Sequence, residues 1–217
     1  MFYSFACLGV RLLLRLFTRC RVEGLENVPP SGPLLLVANH LNLVDPPVLG
    51  ALLPRRIVFV AKEELFRMPL VGWIVKWYGA FGIKRGQADL QALRTAVSVL
   101  RSGGVLGMFP EGHRSRTGKM QEAYAGAALV ALMGEAPVLP VGIDGTDRLR
   151  SPLSLLTRPA ITVRVGPPFT LDAYRGRRGG IEEATRHMMA RVASLLPEER
   201  RGFYAEAAEE ILRQRGL

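Results

Sequence analysis

The sequence predicts an α/β fold, a central and largely parallel β-sheet flanked by helices, with an amphipathic helix at the N-terminus. Two observations predict it. Short continuous apolar runs of strand length recur along the chain, and stretches of helical periodicity lie between them. The third consideration is size: 217 residues suffice for one domain with a sizeable core and no disulfide support.

Met1 to Phe17 is mostly apolar. No charge precedes the run and no small-residue cleavage site follows it, so it does not read as a signal peptide. Spanning a bilayer takes about 20 apolar residues; this run is shorter and carries Arg11 and Arg15. Arg11, Arg15 and Arg19 are spaced by four and would form one basic stripe on a helix. Phe2, Phe5, Leu8, Leu12, Leu13, Leu16 and Phe17 cover the rest of its surface, and no acid occurs before Glu23. The pattern suits a helix lying in the membrane interface with its arginines near lipid phosphates. The alternative is a helix packed on the core with snorkelling arginines. We therefore divide the chain into a membrane-associating helix over residues 1–21 and a body over 22–217. Pro29, Pro30, Ser31, Gly32 and Pro33 punctuate the start of the body.

In the body, Leu34–Ala38, Ile57–Ala61, Ala80–Ile83, Val105–Phe109, Val138–Ile143 and Ile161–Val165 read as buried strands. Leu90, Leu93, Val97 and Leu100 share one helical face, ended by Gly103 and Gly104. Tyr124 to Met133 reads as a small-residue helix. Ile181, Ala184, Met188, Val192 and Leu195 form another amphipathic stripe, with Glu182 and Glu183 at its positive end. A last helix is expected from about Arg201 to Arg213. His187 falls on the polar part of its helix and reads as a surface residue.

The charge points to an anionic partner. Lys and Arg number 29 against 19 Asp and Glu, a net charge of +10. Cys7 and Cys20 give neither a disulfide framework nor metal-ligand spacing, and the three histidines rule out a His-rich metal site.

Four segments carry chemistry. In Asn39-His40-Leu41-Asn42-Leu43-Val44-Asp45, directly after a strand, Asp45 can meet His40 if the chain turns between them. Holding one imidazole nitrogen, it would leave the other as a general base. Asp45-Pro46-Pro47 also reads as a helix N-cap followed by proline, and one residue can do both jobs. Gly79-Ala80-Phe81-Gly82-Ile83-Lys84-Arg85 ends a strand in two cations, of which Arg85 suits a phosphate. Phe109-Pro110-Glu111-Gly112-His113-Arg114-Ser115-Arg116 places an acid and cations at a strand end, where α/β sheets bind ligands. Gly112 permits close backbone approach. Gly112 to Lys119 is not a P-loop: the glycine spacing is wrong and Met120 stands where Ser or Thr is needed. Val138-Leu139-Pro140-Val141-Gly142 is an apolar strand with a proline, which implies an edge, an end or a bulge.

Together, NHLNLVD, GAFGIKR, FPEGHRS and VLPVG occur in the order and spacing of the four motifs of the glycerolipid acyltransferases. Over residues 22 to 170 the chain resembles that family, and within it the bacterial 1-acylglycerol-3-phosphate acyltransferases. The resemblance implies that His40 deprotonates the free 2-hydroxyl of lysophosphatidate, supported by Asp45. The alkoxide attacks a thioester donor, acyl-CoA or acyl carrier protein, without an acyl-enzyme. It assigns Arg85, Glu111, Gly112 and Arg114 to the glycerol phosphate, with Glu111 bonding a hydroxyl or fixing an arginine, and Pro140 to the acyl-donor side. It implies no bound cofactor or metal, and a peripheral or monotopic place at the cytoplasmic face of the cell membrane. The chain departs from the family at His113, where Thr is usual and which makes a competing base. It also departs at Ala123-Tyr124-Ala125, where many members carry Lys before the Gly-Ala of Gly126-Ala127. Met68 to Ile83, with Trp73, Trp77 and Tyr78, would help at the interface or pack in the core.

Other acceptors, glycerol-3-phosphate or a different lysolipid, fit the same chemistry. A lipid hydrolase lacks its GxSxG elbow here. A basic nucleic-acid module would need aromatics interleaved with its cations, which the chain lacks.

Overall fold

The computed structural model describes residues 2–69, 72, 75, 79–83, 89–149, 151–214 and 216. Among them the elements run α1 (Phe2–Phe17), β1 (Arg19–Glu23), β2 (Leu34–Ala38), α2 (Asp45–Leu52), β3 (Ile57–Lys62), β4 (Phe81–Ile83), α3 (Leu90–Arg101), β5 (Val105–Met108), α4 (Gly126–Gly134), β6 (Val138–Asp144), β7 (Ala160–Val165), α5 (Gly180–Ala193) and α6 (Ala205–Gln214). The strands form a seven-stranded sheet in the order β1-β7-β6-β2-β5-β3-β4. Every pairing is parallel except β6 with β7. The central strand, β2, is buried at all five residues, as a strand covered on both faces must be.

The pleat sends its side chains alternately into two cores. Leu35 and Val37 join the cluster under α3, α4, α5 and α6. Leu34, Leu36 and Ala38 join the cluster on the opposite face, with Leu14 of α1 and Val48 and Leu49 of α2.

The six strands expected from apolar runs are all present, but β1 was not expected. Arg19 to Glu23 alternates exposed and half-buried residues and pairs with β7 at the sheet edge. An edge strand with one solvated face shows alternation rather than an apolar run. This corrects the boundary at residue 21. The helix ends at Phe17, and Thr18 folds its hydroxyl back onto the Leu14 carbonyl at 2.6 Å. Arg11 and Arg15 therefore lie on α1 and Arg19 on β1, so the three do not form one helical stripe.

The α1 helix is fastened to α2. The Tyr3 hydroxyl and the Cys7 thiol both donate to the Gly50 carbonyl at 3.2 Å, and Arg11 Nε donates to the Ala51 carbonyl. Carbonyls in a last helical turn lack partners of their own, and α1 supplies them. No helix among the described residues is long and apolar enough to cross a membrane.

Pro140 does not mark an edge, for β6 lies between β2 and β7. It sits beside an interruption of the ladder. Val141 pairs with Val165, Gly166 donates to the Pro140 carbonyl, and pairing resumes only at Val138 with Phe169. Its missing N–H coincides with a bulge on the β7 side. His187 is half-buried rather than on the surface, packed edge-on against Phe169 at 5.3 Å; burial and then Arg191 push its pKa down. Trp73, Trp77 and Tyr78 lie outside the described residues.

Candidate active site

β2 delivers Asn39 and His40 at its C-terminal end, between β5 and β6. Asn39, buried, bonds Ile143 twice at 2.8 Å, amide to carbonyl and carbonyl to amide, and pins the strand end to β6. The His40 side chain is only 12% exposed, and its Nδ1 lies 2.7 Å from Asp45 Oδ2. The ring stacks on Phe109 with centroids 4.3 Å apart. The same Oδ2 accepts the backbone N–H groups of Leu41 and Asn42, each at 2.7 Å. Three donors converge on one carboxylate oxygen. Beside the carboxylate Nδ1 carries a proton, so the neutral ring has its lone pair on Nε2, the tautomer a general base requires.

Asp45 does not cap its helix. The N-cap position is Val44, with no side-chain cap bond. A capping side chain bonds the second or third amide after it. Counted onward from Asp45, the second is that of Pro47, which has no N–H, and the third, Val48, donates to the Val44 carbonyl at 2.9 Å instead. The carboxylate is left to turn back into the preceding loop and toward His40. Asn42 Nδ2 ties that loop to the Thr146 and Leu149 carbonyls at 2.9 and 3.1 Å.

The loop after β5 holds His40 by its backbone. Glu111, fully buried, accepts the His40 N–H at 2.9 Å on one oxygen and the Gln121 N–H at 2.8 Å on the other. Both of these partners are backbone amides. Ser115 N–H donates to the His40 carbonyl at 2.8 Å. Gly112, His113 and Arg114 form the arch between these two anchors, with His113 and Arg114 exposed. Gly112 takes φ 74°, and a Cβ there would come within 2.7 Å of the Tyr124 ring. Only glycine fits the turn and the contact together.

The structure thus gathers His40, Asp45, Glu111, Gly112 and Arg114 around one strand end. Pro140 is buried within β6, opposite Val37, and Arg85 lies outside the described residues. No group of three or more His, Cys, Asp or Glu among the described residues could hold a metal.

Sequence reasoning missed Phe109, Asn39 and Asn42, although all three lie inside the motifs as residues flanking the candidate base. It also missed Arg200. The Arg200 guanidinium reaches Asp144 at 2.9 Å, Asp147 at 3.0 Å and the Gly118 carbonyl at 3.2 Å. Its own carbonyl accepts Met120 N–H at 2.9 Å. The C-terminal segment so clamps the far end of the Glu111–Gln121 loop. Replacing Arg200 with alanine should cost about 2 kcal/mol, since it leaves two partly buried carboxylates facing one another. A thermal melt should show Tm lowered by roughly 4–8 °C; an unchanged Tm would show that the clamp contributes nothing.

Burial pushes the Glu111 carboxyl up from 4.5 to about 7, against the amide hydrogen bonds from Gln121 and His40 that lower it. The folded protein therefore binds a proton at Glu111 that the unfolded chain has released between pH 4.5 and about 7. Stability from this group is highest below the unfolded pKa, falls as pH rises through that window, and is level above it. Glu111→Gln removes the titration. The stability of the protein relative to this variant should decline by about 3 kcal/mol from pH 4.5 to 7. Denaturant unfolding of both at several pH values checks this, and a pH-independent difference would refute it.

A family model for the acyltransferases matches residues 19–144. The chain is 31% identical over 144 residues to the 1-acyl-sn-glycerol-3-phosphate acyltransferase of Bacillus subtilis, covering 66% of this chain and 71% of that protein. It is 30% identical over 187 residues to the enzyme of the same name from Streptococcus pneumoniae, covering 84% and 68%. Its fold is similar to the crystal structure of the 1-acyl-sn-glycerophosphate (LPA) acyltransferase PlsC from Thermotoga maritima. That match has a TM-score of 0.68 and 27% identity, and covers 86% of this chain and 76% of that one.

Proposed function

The chain belongs to the acyltransferase family, and on that premise we propose that it moves a fatty acyl group from a thioester to the sn-2 hydroxyl of 1-acylglycerol-3-phosphate, giving phosphatidic acid for phospholipid synthesis. The observation that carries the proposal is His40, its Nδ1 held by Asp45 and its backbone anchored to both ends of the Arg114 arch. Nε2 takes the hydroxyl proton as the acceptor oxygen attacks the thioester carbonyl. The tetrahedral intermediate then expels the thiolate, which recovers the proton from the imidazolium. No acyl-enzyme forms. Ser115, whose amide touches His40, donates its hydroxyl proton to the Lys119 carbonyl at 2.7 Å and is not poised as a nucleophile.

Arg114, exposed on the arch, and Arg85 receive the acceptor phosphate. Gly112 lets the substrate approach the backbone, Glu111 acts through the two amides it holds, and Pro140 shapes the acyl-donor side. The donor is acyl-CoA or acyl carrier protein. The lipid substrate requires a membrane surface, and α1 presents exposed Phe5, Leu8 and Leu12 for one, on its cytoplasmic face.

Thiol release from acyl-CoA, and in parallel from an acyl carrier protein, tests the proposal. It is followed without acceptor, with lysophosphatidate, and with glycerol-3-phosphate or other lysolipids. Release that depends on lysophosphatidate is expected. Acceptor-independent release would make the protein a hydrolase, and preference for another acceptor would reassign the substrate.

A further inference from the structure

Two segments distant in the chain meet at the surface. The 3-10 turn Pro152–Thr157 packs against α1. Arg158, which follows it, donates to the Arg15 carbonyl at 3.4 Å, and Arg19 donates to the Arg158 carbonyl at 3.2 Å. The Arg19 amide bonds the Pro159 carbonyl at 3.0 Å.

Among the described large apolar residues the two most exposed are in this turn, Leu153 at 73% and Leu156 at 77%. The helix it packs against, α1, exposes Phe5, Leu8, Leu12 and Leu16 as well. Part of the turn's polar need is met internally. Ser154 N–H and Arg158 N–H bond carbonyls three residues back, and the Thr157 hydroxyl bonds the Ser154 carbonyl at 2.8 Å. Those groups stay bonded when the segment enters an apolar medium.

The surrounding charge names the occupant. Residues 1–22 carry Arg11, Arg15, Arg19 and Arg21 and no acid; residues 148–158 carry Arg148, Arg150 and Arg158 and no acid. A second copy would set these cations against their duplicates. An anionic lipid surface neutralises them while it accepts the leucines. The turn is also tied to the site, since it follows Leu149, whose carbonyl holds Asn42 of the catalytic loop.

Resting on the membrane-surface reading above, we propose that the Pro152–Thr157 turn is a second membrane-contacting element. With α1 it seats the protein on an anionic bilayer at two points and sets the orientation of the His40 site. The contact is with lipid headgroups and the acyl chains just beneath them.

The full chain is tested by sedimentation with vesicles of phosphatidylglycerol and of phosphatidylcholine. The protein should prefer the anionic vesicles. Leu153→Ser combined with Leu156→Ser should lower partitioning at least about tenfold at unchanged Tm. Leu156→Trp should add fluorescence, relative to the parent protein, that shifts to the blue on vesicle binding. Wild-type binding with the serine variant bound equally well would overturn the second contact and leave the α1 reading standing. So would an unshifted tryptophan on bound protein. Absence of wild-type binding would remove the membrane reading and this contact with it. A concentration-dependent dimer broken by the serine variant, with vesicle binding intact, would give the patch to a second copy and overturn the proposal.

Discussion

His40→Ala should lower acceptor-dependent thiol release by roughly 10³-fold, about 4 kcal/mol of barrier, and leave the fold intact. The fold survives because the interactions that place residue 40 are made by its backbone: the N–H to Glu111 and the carbonyl to Ser115. Truncation removes the ring, its stack on Phe109 and one of the three donors to Asp45, but the Leu41 and Asn42 amides still satisfy that carboxylate. The loss should fall on kcat, because the imidazole acts on a proton rather than on the acceptor's phosphate. His113→Ala is the companion variant, exposed on the arch beside the site. It should retain most of the activity; if it abolished release while His40→Ala did not, the base would be His113.

Asp45→Ala should damage both activity and stability, and Asp45→Asn should separate the two. In the alanine variant the Leu41 and Asn42 amides lose their acceptor in a site where residue 45 is fully buried. Each orphaned amide costs about 1–3 kcal/mol, so Tm should fall by several degrees or more. The imidazole also loses the partner that fixes its tautomer, and release should fall by about 10²–10³-fold. In the asparagine variant the same two amides demand an acceptor and so orient the new carboxamide with its oxygen where Oδ2 stood. Nδ1–H keeps its partner, the charge is lost, and the new NH2 takes the buried place of Oδ1, which has no hydrogen-bond partner. We expect a Tm between those of the wild type and the alanine variant, and a loss of about tenfold, the share of imidazolium stabilisation due to charge. Thermal melts and steady-state kinetics of both variants decide it. An asparagine variant as inactive as the alanine one, at that intermediate Tm, would assign the whole contribution to charge.

Much of this was legible in the chain itself. The six strands announce themselves as apolar runs, most plainly β2, β5 and β6, which are buried on both faces and have no polar alternation to confuse with a loop. β1 escaped because RCRVE, at a sheet edge, alternates and is basic. His40 and Asp45 were legible because their geometry is local: five residues, one turn and two prolines. Even so, the local N-cap expectation for Asp45 failed, since Pro47 has no N–H and that of Val48 is taken by the Val44 carbonyl.

The sequence by itself determined the sheet's central strands, the candidate base with its carboxylate, the basic charge, and the resemblance in four motifs. Each is encoded within a few consecutive residues, where composition and spacing translate directly into conformation. Only the tertiary structure decided that Glu111 braces the His40 backbone across 71 positions. The same is true of the Arg200 clamp on the Glu111–Gln121 loop and of the fastening of α1 to the end of α2. It also decided that the turn bearing exposed Leu153 and Leu156 packs against α1. These are partnerships between donors and acceptors, or between apolar surfaces, far apart in the chain. No local pattern specifies which of many eligible partners folding will bring within reach.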